Sequence, residues 1–199
     1  NHLDTAVSKV AVVAAQTVSG GVFLTDNDAL ELGSVAAVNY SRALANGTAN
    51  TLVDAAIEGL LTSAGDAHAV VETIDGPLTV SSRVLVAGAG NVRLAAAGVN
   101  GSVDVMAKVS SPDGHVTVVG EKDVIQSNAG MLEAVNGTID VQAVTGSINM
   151  GDGTTATTDG GVILYQAQID VTIGFMDAGA GTISVIADTG FIVDSGGPD

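Results

Sequence analysis

Residues 137–150 read GTIDVQAVTGSINM, and the two Gly-x-aliphatic-x-apolar units in this stretch, Gly137 to Val141 and Gly146 to Met150, decide the fold. Within each unit the alternation has a period of two. Ile139 and Val141 therefore face one way while Thr138 and Asp140 face the other, as in a β-strand with one buried side. A glycine precedes each strand, and Ala143 to Thr145 is too short a spacer for anything but a corner.

Working outward, the same unit recurs as GGVFL from Gly20, GNVRL from Gly90, GSVDV from Gly101, GHVTV from Gly114, GGVIL from Gly160 and GTISV from Gly181. The first inward residues form one series, Val92, Val116, Ile139, Val162 and Ile183, with steps of 24, 23, 23 and 21. Leu78, Val103, Val124, Ile148, Val171 and Ile192 form a second, with steps of 25, 21, 24, 23 and 21. Two interleaved series with one period of about 23 residues predict a solenoid coil holding two firm strands. Residues 84–86, 107–109 and 131–135 are weaker candidates for a third side. The expected fold is all-β, a right-handed parallel β-helix. Coils stacked ~4.8 Å apart would give roughly eight layers and a rod of about 40 Å. The glycines are expected to supply positive φ at the corners, and Asn and Asp to bond their own backbone there.

The rhythm breaks over residues 36–66. Leu52, Ala56, Ile57 and Leu60 have the spacing of one face of a short amphipathic helix, so a helical or irregular insertion is expected, with a degenerate coil as the competing reading. The chain then divides into a capping or joining segment (1–19), a first coil (20–35), this insertion and regular coils (67–199), all one solenoid domain. It begins at Asn1 without a signal-peptide pattern and ends in an open turn, Asp194 to Asp199, which predicts a piece of a longer protein.

Composition agrees with thin layers of short strands. The 199 residues contain 26 Gly and no Cys, with three Phe, two Tyr and no Trp, so the core is built of small aliphatics. No disulfide or thiolate metal site is available. The net charge of −16 repels a phosphate backbone, which excludes nucleic acid as a partner class. The longest strongly apolar run, Val10 to Ala15, is far short of the ~20 residues that span a bilayer, so no membrane insertion is expected.

The tandem units, together with Asp75 to Val80 (DGPLTV), Gly20 to Val35 and Gly181 to Gly196, resemble the filamentous-haemagglutinin-like large bacterial exoproteins. The resemblance covers residues 20–35 and roughly 66–196. It implies a Cys-poor, acidic β-helical array exported to the cell surface or medium as an adhesin or extracellular fibre. The secretion-signal domain typical of such proteins is not seen in this stretch, so export rests on the resemblance.

No catalytic or cofactor-binding residue set emerges, and an enzyme is not expected. The outward positions Arg93, Thr117 and Asp140, and Asp104 and Asn149, read as a mixed solvated face. His2, His68 and His115 are far apart in sequence and read as surface residues. Asp26, Asp28 and Glu31 alternate as in a calcium loop, but the glycine and the final glutamate of an EF-hand are missing; Ca2+ remains the candidate ion, and a turn explains the acids without it. Thr154 to Thr158 reads as a threonine-rich corner. Of the sequons at Asn39, Asn46, Asn100 and Asn136, the last three carry the Asn-Gly dipeptide favoured in tight turns.

The expectation is a structural or adhesive segment of a secreted or cell-surface protein, a rigid rod whose partners are further copies, neighbouring domains, a surface polysaccharide or a host receptor. The alternative is a carbohydrate-binding or polysaccharide-cleaving β-helix. It requires Phe23, Tyr40, Tyr165, Phe175 and Phe191, or several of them, to converge with acids on one exposed face.

Overall fold

Apolar alternation over three to six residues, interrupted by glycine and small polar residues, gives strands too short to fold back on themselves, so they pair with the next copy of the repeat. The computed structural model describes residues 2–4, 11–127 and 129–196, and forms a parallel β-solenoid of about 24 residues per turn, with no helix among these residues. The first sheet stacks His2–Asp4, Val22–Asp26, Ala69–Thr73, Val92–Ala96, Val116–Gly120, Ile139–Ala143, Val162–Ala167 and Thr182–Ala187, all parallel. The second stacks Val12–Val13, Leu30–Leu32, Leu78–Val80, Val103–Val105, Val124–Gln126, Ile148–Met150, Val171–Ile173 and Ile192–Asp194. The weakly expected third side is a full sheet of seven: Ala15–Thr17, Leu60–Thr62, Val84–Leu85, Lys108–Ser111, Met131–Ala134, Thr155–Thr158 and Phe175–Asp177.

Residues 12–17 add a strand to the second sheet and one to the third, as a partial coil would; of the proposed capping segment, residues 1 and 5–10 lie outside the described residues.

Every residue of the second series lies in one column, Leu78 to Ile192. The first series needs one correction. Ile139 pairs with Ile163, not Val162, and Ile163 pairs with Ile183. Val162 is 45% exposed, whereas Ile163 is fully buried. In the Gly160-Gly161 doublet the second glycine is the repeat glycine, and Gly160, at φ 95°, belongs to the turn before it. Thr155–Thr158 is likewise a strand rather than a corner, with Ala156 and Thr158 turned inward.

The helix expected within residues 36–66 is absent. Val38–Ala43 and Ala49–Asp54 form an antiparallel hairpin in which Leu52 faces Tyr40. Ser34–Val35 and Ile57–Glu58 pair as its neck. The turn explains the outcome: Gly47 takes φ 82°, and Thr48 donates from N (3.1 Å) and Oγ1 (2.7 Å) to Asn46 Oδ1. An Asn-Gly turn of this kind favours two antiparallel arms over a helical run. Nor is the insertion a coil. Val22 pairs directly with Ala69, so the step of 47 positions between them supplies one coil plus a hairpin, and Leu60 enters the core.

The repeat glycines also act differently from expectation. Gly90, Gly114, Gly137 and Gly181 do not have positive φ. A Cβ on Gly114 would fall on the carbonyl oxygen of Gly90, one on Gly137 on that of Gly114, one on Gly161 on that of Gly137, and one on Gly181 on that of Gly161. These glycines form a column in which backbone lies against backbone, and the missing side chain permits the approach.

Inside the coils, Val92, Val116, Ile139 and Ile163 on the first sheet meet Val103, Val124 and Ile148 from the second and Val109 and Leu132 from the third. Each is essentially buried, and each such side chain contributes ~1.5–3 kcal/mol of apolar transfer. Tyr165 and Gln126 are among the polar side chains of this interior: the Tyr165 hydroxyl donates to Gln126 Oε1, and Gln126 Nε2 donates to the Thr155 carbonyl at 3.2 Å. Burial pushes the Tyr165 phenol well above its ordinary pKa.

Candidate functional site: a polar groove on the first sheet

The residue between the repeat glycine and the first inward aliphatic sits at a corner, where its backbone N–H lies outside the regular sheet ladder and needs another partner. The preceding coil supplies one from its equivalent side chain. Asn91 N donates to His68 Nδ1 (2.9 Å), His115 N to Asn91 Oδ1 (2.9 Å) and Thr138 N to His115 Nδ1 (3.1 Å). The second sheet uses the same device: Ser147 N donates to Asp123 Oδ1 (2.9 Å), Asp170 N to Ser147 Oγ (3.2 Å) and Phe191 N to Asp170 Oδ1 (2.8 Å). Any side chain with an acceptor at the right reach fits, which accounts for the mix of His, Asn, Asp and Ser.

For the histidines this fixes the tautomer. Nδ1 of His68 and of His115 accepts a backbone N–H, and at His115 it also meets the Thr138 hydroxyl at 2.9 Å, which leaves the ring hydrogen on Nε2, without a partner among the described residues. Both rings are exposed. The sequence separates them by 47 residues, yet they occupy one column two coils apart, with Asn91 between.

A second outward column runs beside the first: Phe23, Val70, Arg93, Thr117 and Asp140 on consecutive coils. The two columns line a groove of about 510 Å³. At its Phe23 end the floor is opened by Gly21, where an added Cβ would stand 2.6 Å from Phe23 Cε2; the ring lies over the place a side chain would take. Arg93 makes no ion pair with any described residue. Asp140 accepts from Gln142 Nε2 through both oxygens at 3.1 Å.

The remaining candidates scatter. Asp26 turns into the core and takes the Asp28 N–H at 3.1 Å, while Glu31 lies on the second sheet against the Ser81 hydroxyl. No group of three or more His, Asp or Glu side chains suited to a metal ion occurs among the described residues. Of the aromatics, Tyr165 is interior, Tyr40 is on the hairpin, and Phe175 and Phe191 lie on the last coils, leaving Phe23 alone in the groove. Asn39, Asn46, Asn100 and Asn136 are all exposed; Asn46 holds the hairpin turn, and Asn136 Nδ2 donates to Asp113 Oδ1 at 2.7 Å. His2 falls in the first strand, where only the backbone is described.

The architecture defines the chain as a β-solenoid repeat protein. No known protein family, curated protein or solved structure matches it.

Proposed function

We propose that this chain is a structural and adhesive segment of a secreted or cell-surface bacterial exoprotein of the filamentous-haemagglutinin-like kind, forming part of a rigid rod. The observation that carries the reading is the stack of three parallel sheets along the described residues, in which each coil buries the apolar side chains of its neighbours. Ile183 and Ile192 continue the inward columns of Ile163 and Val171, yet they are 42% and 50% exposed, whereas Ile163 and Val171 are fully buried. Thr182–Ala187 and Ile192–Asp194 each pair on one side only among the described residues. An apolar layer bordered by open parallel strand edges is a template for a further coil, from another copy or from a neighbouring domain of the same exoprotein. The repeat units quoted above support the family reading, and the rod's acidity suits a solvated exterior.

Negative-stain microscopy with light scattering, with and without chelator, tests this. Filaments or end-to-end rods that survive dilution support the assembling version, and their loss on chelation adds Ca2+ at the joint. Discrete monomers about 40 Å long overturn self-assembly.

A further inference from the structure

We propose that the groove between His68 and Asp140 on the first sheet binds a neutral oligosaccharide lying along the rod axis. The site does not depend on the rod assembling, because a single chain contains all of it.

Shape comes first. The lining spans five consecutive coils, so four interstrand steps of ~4.8 Å give an open, shallow trough running roughly 19 Å along the rod. An extended polymer fits such a trough better than a compact metabolite does. Its volume of about 510 Å³ lies within the range of sites that hold small ligands.

Its chemistry points to hydroxyl groups, which both donate and accept. The His68 and His115 rings each present an Nε2–H donor, because the backbone of the next coil holds their Nδ1 atoms. Arg93 adds a guanidinium with no ion-pair partner among the described residues, and five N–H groups in one plane suit adjacent hydroxyls. Asp140 supplies acceptors two coils away, is not paired with Arg93, and its bonds from Gln142 leave further lone pairs open. Phe23, 37% exposed and lying over Gly21, offers an apolar face against which the C–H side of a sugar ring can pack.

Charge selects the neutral class. Arg93 and Asp140 cancel within the groove. The chain around them carries −16, which would repel a polymer of uronates or sulfated sugars.

The test is calorimetric titration of the intact chain with cellotetraose, xylotetraose, mannotetraose and chitotetraose, and with tetragalacturonate as the charged comparator. At least one neutral tetrasaccharide is expected to bind. Arg93→Ala and Phe23→Ala should each weaken that binding by at least about tenfold, with circular dichroism and Tm unchanged, because both side chains face outward. Phe191→Ala, on an exposed aromatic remote from the groove, should leave it intact. Failure of every neutral sugar to bind at millimolar concentration overturns the proposal, as does binding of tetragalacturonate alone. Binding that survives the Arg93→Ala, Phe23→Ala double variant overturns the placement. Filament formation is read separately, so either result leaves the rod proposal to its own test.

Discussion

The hydroxyl of Tyr165 donates to Oε1 of Gln126 across the interior of the solenoid, 39 residues earlier in the chain, and neither side chain reaches solvent. The pair joins two fully buried polar side chains within a largely aliphatic core. Tyr165→Phe leaves the Gln126 oxygen buried without its donor and is expected to cost about 1–3 kcal/mol, while Gln126→Met together with Tyr165→Phe should recover much of that loss. Urea denaturation of the two single variants and the double variant measures the coupling; strict additivity would contradict it.

The same residue makes the fold sensitive to alkali. The buried phenol ionises only above its ordinary value of about 10, whereas the unfolded chain releases the proton there. The folded state thus binds more protons above that pH, and stability falls as the pH rises further. Tyr165→Phe should flatten the alkaline limb of a Tm-against-pH curve.

Lys108 and Glu133 form an ion pair between adjacent third-sheet strands, and Ser110 Oγ donates to the same carboxylate at 3.1 Å. The Lys108 hydrogen bond, with its charge and the Ser110 hydroxyl assisting against partial burial, holds the Glu133 carboxyl below the usual carboxylate range. A lowered folded pKa contributes stability that is present above the unfolded value and lost as pH falls through the folded one. Because the pair is half-exposed, Lys108→Met should cost only about 0.2–1 kcal/mol at neutral pH. Below the titration range the variant and the parent should converge in guanidinium melts.

Gly137→Ala places a methyl group on the Gly114 carbonyl and is expected to cost about 1–3 kcal/mol or more, since the neighbouring backbone must move. Gly153→Ala meets open space but must hold φ near 78°, and should cost about 1–2 kcal/mol. Thermal denaturation ranks the two; a milder Gly137 variant would refute the backbone-contact explanation.

Replacing residues 38–54 with a two-residue Asn-Gly turn should leave the solenoid intact. The hairpin is exposed along both strands, except for partial cover at Leu52, and the neck at Val35 and Ile57 survives the excision. Far-ultraviolet dichroism should lose only hairpin signal, with Tm within a few degrees of the parent. Collapse of the cooperative transition would show that the hairpin supports its coil.

Legibility followed the side chains that face inward. The second sheet was readable because Leu78, Val103, Val124, Ile148, Val171 and Ile192 are all aliphatic and lie in one column. The third was faint because its interior uses Ser111, Ala134, Ala156 and Thr158, which do not alternate in hydrophobicity. The groove was harder still. Arg93, Thr117 and Asp140 were recognisable as one outward column, but Phe23 joins them only because residues 38–54 leave the rod as a hairpin. Had that segment formed a coil, Phe23 would lie two levels from Val70 instead of beside it. His68 and His115 could have been paired from the repeat itself, since each directly precedes an inward residue of the same column, Ala69 and Val116.

The stacking of each coil only on its neighbours has a mechanical consequence. A load applied at the last coil acts on one layer of hydrogen bonds at a time, so the rod should come apart by peeling from the end and not by yielding throughout. Each coil of about 24 residues that lets go lengthens the tether by about 80 Å, in exchange for a single ~4.8 Å layer of rod. Built this way, an anchored segment would give ground in regular increments, one coil at a time, more like a line paid out than a stiff post.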